Sequence, residues 1–218
     1  ESQRTDLNYF SIISKNIVEQ STIFEKNADH WVMNGLKTYL EIQYLDRYYK
    51  DEKLLGQLPD NAKIFGLKPL KIFHASDLKL TERYGLAYQY IMTQNLDQKI
   101  GENFEDLSNY NASAISHFET GSLFSFISEK MGKEKFDDFV ISYLEKNANQ
   151  HINQQNFLDE LTVASGYSSE FLDQFIERKN RVNFKLKRYT KVGEEFQVKI
   201  AKNTAQQIPF KIETTFLC

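Results

Sequence analysis

The spacing of apolar residues changes character once along this 218-residue chain, at about residue 180. Before that point apolar side chains recur every three or four positions, the period of a helix with one buried side. Phe10, Ile13 and Ile17, followed by Ile23 and Phe24, predict one long first helix or two shorter ones. Asn27 and Asp29 are candidate N-caps for a helix from about His30 to Lys50, because short polar side chains can accept from free first-turn amides. Leu36, Tyr39, Leu40, Gln43, Leu45 and Tyr48 track one broad face of that helix. Pro59, Gly66 and Pro69 break residues 51–78 into short helices and loop. Regular spacing resumes from Thr81 to about Asn95, with Tyr84, Leu86, Ala87, Tyr90 and Ile91 expected to face inward. A helix from about Ala112 to Met131 is expected to end in a left-handed cap at Gly132. Lys133 to Asn147 follows, with Phe136, Phe139, Val140 and Tyr143 on one stripe. Asn153 to Ala164 is closed by Gly166, and Ser168 caps a last helix, Glu170 to Glu177.

Beyond Arg178 the period becomes two. Val182, Phe184 and Leu186 alternate with polar residues, as do Phe196, Val198 and Ile200, and then Ile208, Phe210 and Ile212. Such alternation predicts half-buried strands, with Gly193 at the hairpin turn between the first two. The expected organisation is therefore a helical domain over 1–179 and the start of a β domain over 180–218. No internal repeat or low-complexity run interrupts either part. Charge divides at the same place. Residues 178–202 carry a surplus of +7 and the helical part about −10, within a chain whose formal charge is −3. Basic polar positions on exposed strands protect an edge from pairing; alternatively they form a docking strip for the acidic helical part or an anionic partner.

The acidic balance argues against a nucleic-acid binder, and no apolar run is long enough to span a membrane. With 41% hydrophobic residues, three prolines and nine glycines, the chain has the composition of a folded domain. Its one cysteine, Cys218, permits no internal disulfide and no Cys-based zinc site. Because the chain starts at Glu1 without an apolar leader and ends on a strand-like run, it is expected to be a piece of a longer polypeptide.

A search for chemistry finds little. His30, His74, His117 and His151 are far apart, and none pairs at the i, i+4 spacing that sets two imidazoles on one helix face for zinc. There is no phosphate-binding glycine loop and no GxSxG elbow. Glu102, Glu105 and Asp106, like Asp137 and Asp138, read as solvated helix faces, since neighbouring side chains diverge. Tyr44, Tyr48 and Tyr49, and Tyr84, Tyr88 and Tyr90, read as packing residues, with some available to line a peptide-sized groove.

Two stretches carry a resemblance. "HWVMNGLKTYLEIQYLDRYY" (30–49) is similar to the W-L-N-E-G-L-A-x-Y-L-E segment of the M1 (gluzincin) zinc aminopeptidases through Trp31, Gly35, Leu36, Thr38, Tyr39, Leu40 and Glu41. "HFETGSLFSFISEKMGKEKFDDFVISYL" (117–144) is similar to that family's Y-x-K-G-A helix and its successor. The resemblance spans about residues 5–216. It implies a mainly α fold, the latter half of a thermolysin-like gluzincin catalytic domain, followed by the first antiparallel strands of a β-sandwich.

What the resemblance implies about activity is mostly negative. The family's third zinc ligand, a glutamate, corresponds to Asn34, and a neutral amide is a poorer zinc ligand than a carboxylate. Counting back to the family's HExxH places its two histidines at Ser11 and Lys15 and its general-base glutamate at Ile12. The tyrosine that stabilises the oxyanion corresponds to Phe118, with Tyr110 as a substitute; phenylalanine lacks the donor hydroxyl. The leading expectation is therefore a pseudo-peptidase without catalytic residues, zinc or other cofactor, binding an extended peptide or a protein through the family groove. The alternative is an active zinc aminopeptidase whose ligands lie outside this chain or form an unorthodox set, with His30 or His74 supplying imidazole. A third expectation is a purely architectural module in which Lys15 or Phe118 fills the cleft. Degenerate M1-like proteins can be exported, which points to a bacterial cell-envelope or secreted setting.

Overall fold

The middle of the helical part is built on α2 (His30–Tyr48), whose first turns are buried nearly all round: Trp31, Leu36, Tyr39 and Leu45 are fully enclosed. The structure is a computed structural model that describes residues 2–56, 63, 75–177, 184–193 and 195–202. The chain divides into two compact units, Glu1–Lys179 and Asn180–Cys218. It is mainly helical, with an antiparallel pair of strands towards the C-terminus.

In the first unit α1 (Ser2–Ser21) leads through β1 (Ile23–Phe24) into α2. There follow α3 (Glu82–Thr93), α4 (Asn109–Ser113), a π-helical turn (Ala114–Glu119), α5 (Thr120–Met131), α6 (Lys133–Lys146), β2 (His151–Ile152), α7 (Gln154–Ser165) and α8 (Ser169–Ile176). β1 and β2 form a short parallel bridge, Ile23 opposite His151 and Phe24 opposite Ile152, which no local spacing announces. The larger core joins α2, α5, α6, α7 and α8 through aromatic rings. Trp31 meets Phe124 and, edge-on, Phe157; Tyr143 meets Phe157 at 5.1 Å, and Tyr39 meets Phe136 at 4.9 Å. A smaller core of Leu7, Ile42, Leu45 and Tyr84, with Phe118 packed against it, ties α1 and α3 to the other side of α2.

Several helix ends follow their local chemistry. Asn153 and Asn156 form a reciprocal capping box on α7, Gly166 (φ +71°) closes that helix in the left-handed conformation, and Ser168 accepts from the Phe171 amide at α8. Gly132 differs from the expected left-handed cap. Its φ of +95° is paired with an extended ψ of 128°, and this one residue ends α5 and begins α6.

Other expectations need correction. On α1 the buried side is Leu7, Ser14 and Val18, whereas Ile12, Ile13 and Ile17 face solvent. Leu86, Tyr90 and Tyr48 are likewise exposed. Asp29 stands at the N-cap of α2 but makes no cap bond; its carboxylate accepts from the Gln154 amide at 2.8 Å and the Glu25 amide at 3.1 Å. Asn27 accepts from the Glu105 amide. Asp137, expected on a solvated face, accepts at 2.6 Å from the Tyr39 hydroxyl. The single helix expected over 112–131 is split by the π turn, where the Thr120 hydroxyl reaches back to the carbonyl of Ile115.

In the second unit β3 (Phe184–Val192) and β4 (Glu195–Lys202) form an antiparallel hairpin around Gly193 (φ +65°). Its register shifts between Leu186 and Arg188. Pro59, Gly66, Pro69, His74, Val182, Cys218 and the third expected strand lie outside the described residues. Among the described residues no helix is long and apolar enough to cross a membrane.

Candidate functional site

One face of α2, the π turn and the side of α1 that meets them enclose a polar seam. At its buried end the Asn34 amide donates to Ser116 Oγ at 2.7 Å, and Ser116 Oγ lies 2.7 Å from His30 Nδ1. Ser116 therefore accepts from Asn34 and donates its one hydrogen to Nδ1. This leaves Nε2–H to donate to the Glu102 carbonyl at 2.8 Å. Burial lowers the His30 pKa, against the opposing pull of the Glu102 carbonyl and the charge of Asp29. Ser116 is fully buried and His30 1% exposed, so this Ser–His contact holds helices together and offers no nucleophile to a ligand.

Further along α2, the Tyr84 hydroxyl donates to the buried Glu41 carboxylate at 3.0 Å, and Lys37, one helical turn before Glu41, pairs with it at 3.9 Å. Burial first, then the charge and hydrogen bond of Glu41, raises the Tyr84 pKa. Arg83 lies over the Tyr84 ring, 5.5 Å from its centroid. The Phe118 ring meets Tyr84 edge-on at 5.5 Å. Between these groups stands His117, whose pKa is pushed down to about 4 by burial, by Lys37 and by His30, in that order. It is neutral at physiological pH.

Two cavities open along this seam. One, of about 240 Å³, has Leu7, Ser11, Glu41, Arg83, Tyr84 and Phe118 in its walls. The other, of about 310 Å³, has Lys15, Glu19, Met33, Asn34 and Phe104. Lys37 and His117 line both. A larger hollow beside Arg47 to Lys53 and Gly56 lies away from the seam.

Of the five positions singled out by sequence, Ser11 and Phe118 therefore reach the first cavity and Lys15 and Asn34 the second. Ile12 does not; it is 58% exposed. Lys15 is exposed and pairs with Glu19 at 3.7 Å. Tyr110 is 67% exposed and lines neither cavity. Zinc takes imidazole, thiolate or carboxylate ligands, and these positions do not fit it: Asn34 spends its amide nitrogen on Ser116, and Lys15 carries an ammonium. Both ring nitrogens of His30 are engaged as well. Among the described residues no group of three or more His, Cys, Asp or Glu is placed to hold a metal ion. Sequence reasoning missed Ser116, Arg83, and the place of Lys37 and His117 in the walls of both cavities; the i, i+4 spacing of Lys37 and Glu41 was the only local signal available.

No protein-family model matches the chain, and no curated protein and no solved structure matches it.

Proposed function

We propose that this chain is an M1-aminopeptidase-like scaffold that has lost the zinc chemistry and uses the vacated groove to bind an extended peptide or protein segment. The supporting observation is the convergence of Ser11, Lys15, Asn34 and Phe118 from three separate stretches of sequence onto two cavities that share Lys37 and His117. Those are positions the resemblance pairs with the family's ligands and oxyanion donor. In this chain they hold a hydroxyl, an ammonium, a hydrogen-bonded amide and a phenyl ring. The walls combine apolar surface from Leu7, Met33, Phe104 and Phe118 with a few polar groups, the composition of a site that binds and orients without reacting. An extended peptide would find both side-chain pockets and donors along one face of α2.

The test is metal content and hydrolysis measured together. After equilibration with zinc and removal of excess, the chain is expected to retain no stoichiometric metal and to release no nitroaniline from aminoacyl-nitroanilides, with or without chelator. One zinc per chain with chelator-sensitive hydrolysis overturns the reading. The packing of Phe118 on Tyr84 favours a second reading, a purely architectural module; it predicts that no peptide binds at the seam.

A further inference from the structure

The helical part of the chain is strongly acidic, yet the walls of the two cavities hold three cations, Lys15, Lys37 and Arg83, against two carboxylates, Glu19 and Glu41. Both carboxylates are already engaged, Glu19 by Lys15 and Glu41 by the Tyr84 hydroxyl and Lys37. Among the described residues Arg83 has no carboxylate within ion-pair distance and no side-chain hydrogen bond; its contact is with the face of the Tyr84 ring. The ring nitrogens of His117, in the wall common to both cavities, make no hydrogen bond among the described residues. The seam is thus a local positive spot with unspent donors inside an acidic unit.

Resting on the peptide-groove reading above, we infer that Arg83, Lys37 and His117 form a carboxylate-binding site that receives the C-terminus of the bound peptide. A planar guanidinium matches a carboxylate with two parallel hydrogen bonds, and Lys37 adds a point charge beside it. His117 enters neutral and supplies an N–H without adding a third cation beside Lys37 and Arg83. The Arg83 cavity, about 240 Å³, lies below the ~300–1,000 Å³ of sites that enclose whole small ligands. It has room for one terminal residue against Leu7, Phe118 and Tyr84. The adjoining cavity of about 310 Å³ takes the residue before it.

Three peptides separate the sources of a carboxylate: N-acetyl-Ala-Ala-Phe with a free C-terminus, the same peptide amidated, and amidated N-acetyl-Ala-Asp-Phe. Binding to the full chain is followed by NMR together with the titration of the His117 ring proton, whose neighbours in the seam are Lys37, His30, Arg83, Glu41 and Tyr84. The free acid is expected to bind at least about tenfold more tightly than either amide and to raise the His117 pKa. Arg83→Gln, a change at an exposed residue, is expected to erase the difference between the free acid and its amide. Equal binding of the free acid and its amide, or an Arg83→Gln variant that keeps the preference, overturns the C-terminal site but leaves the groove. Tight binding of the aspartate peptide overturns the assignment to a chain end. Failure of all three to bind removes the groove reading with it.

Discussion

Thr120 fills the space that Gly35 leaves empty. A β-carbon at Gly35 would collide with Thr120 Cγ2 and stand 2.8 Å from Phe124 Cε2. The contact is reciprocated three residues further along α2 and one residue further along α5: a β-carbon at Gly121 would stand 2.5 Å from Thr38 Cγ2. Glycine and threonine thus interlock twice across α2 and α5, and this close approach brings the π turn, with Ser116, His117 and Phe118, against the seam. The Thr120 hydroxyl donates to the Ile115 carbonyl at 3.0 Å, which holds its methyl against α2. Gly35→Ala and Gly121→Ala are each expected to cost about 1–3 kcal/mol by overpacking, read as a lower urea midpoint; no loss would show that the helices separate freely.

Ser116 is the single bridge between His30 and Asn34. Ser116→Ala strands the buried His30 ring nitrogen and removes the acceptor of the half-buried Asn34 amide, and is expected to cost about 1–3 kcal/mol, whereas a substitution at exposed Ile12 should leave stability within about 0.5 kcal/mol. Equal urea midpoints for the two variants would show that the bridge contributes nothing.

His117 and Glu119, two residues apart, are expected to respond to pH in opposite senses. The folded pKa of His117, about 4, lies below its ordinary 6.5, so its contribution to stability is complete above pH 6.5 and falls as pH drops towards 4. Burial raises Glu119 from 4.5 to about 8, opposed by a hydrogen bond from Tyr88 and helped by the charge of Asp97. Its contribution is complete below pH 4.5 and is lost as pH rises towards 8. Urea unfolding across this range should show Glu119→Gln removing the alkaline loss and His117→Gln removing the acid loss. Parallel profiles for wild type and both variants would contradict this.

The Tyr39 hydroxyl donates to Asp137 and accepts from Ser128 at 3.0 Å, joining α2 to α6 and α5. Removing it in Tyr39→Phe is expected to cost about 2 kcal/mol, the scale of a hydrogen bond to a charged group. A double-mutant cycle with Asp137→Ala should show coupling; strict additivity would rule out the bond.

On α1, Val18→Ala opens a void behind a fully packed side chain and is expected to cost about 2 kcal/mol. Ile13→Ala, at a 52% exposed position, is expected to change stability by less than about 0.5 kcal/mol. The reverse ranking would mean that the isoleucine side of this helix is the buried one.

Helical spacing to Ile176, alternation from Phe184, the cap residues Gly166 and Ser168 and the turn at Gly193 were legible in the chain itself, because each rests on bonds or periodicities a few residues long. The candidate positions Ser11, Lys15, Asn34 and Phe118 were legible only as a resemblance. Their meeting place depends on contacts between residues far apart, with Ser116 bridging α2 to the π turn 82 residues later. Tertiary structure alone decided that Ser14 and Val18, not Ile13 and Ile17, turn inward, and that Asp29 serves the Gln154 amide across the fold. Local sequence can specify that a helix has an apolar side, but which side is buried depends on the shape of the surface it meets. On α2 that surface is shaped by two glycines and two threonines whose fit exists only once the helices touch.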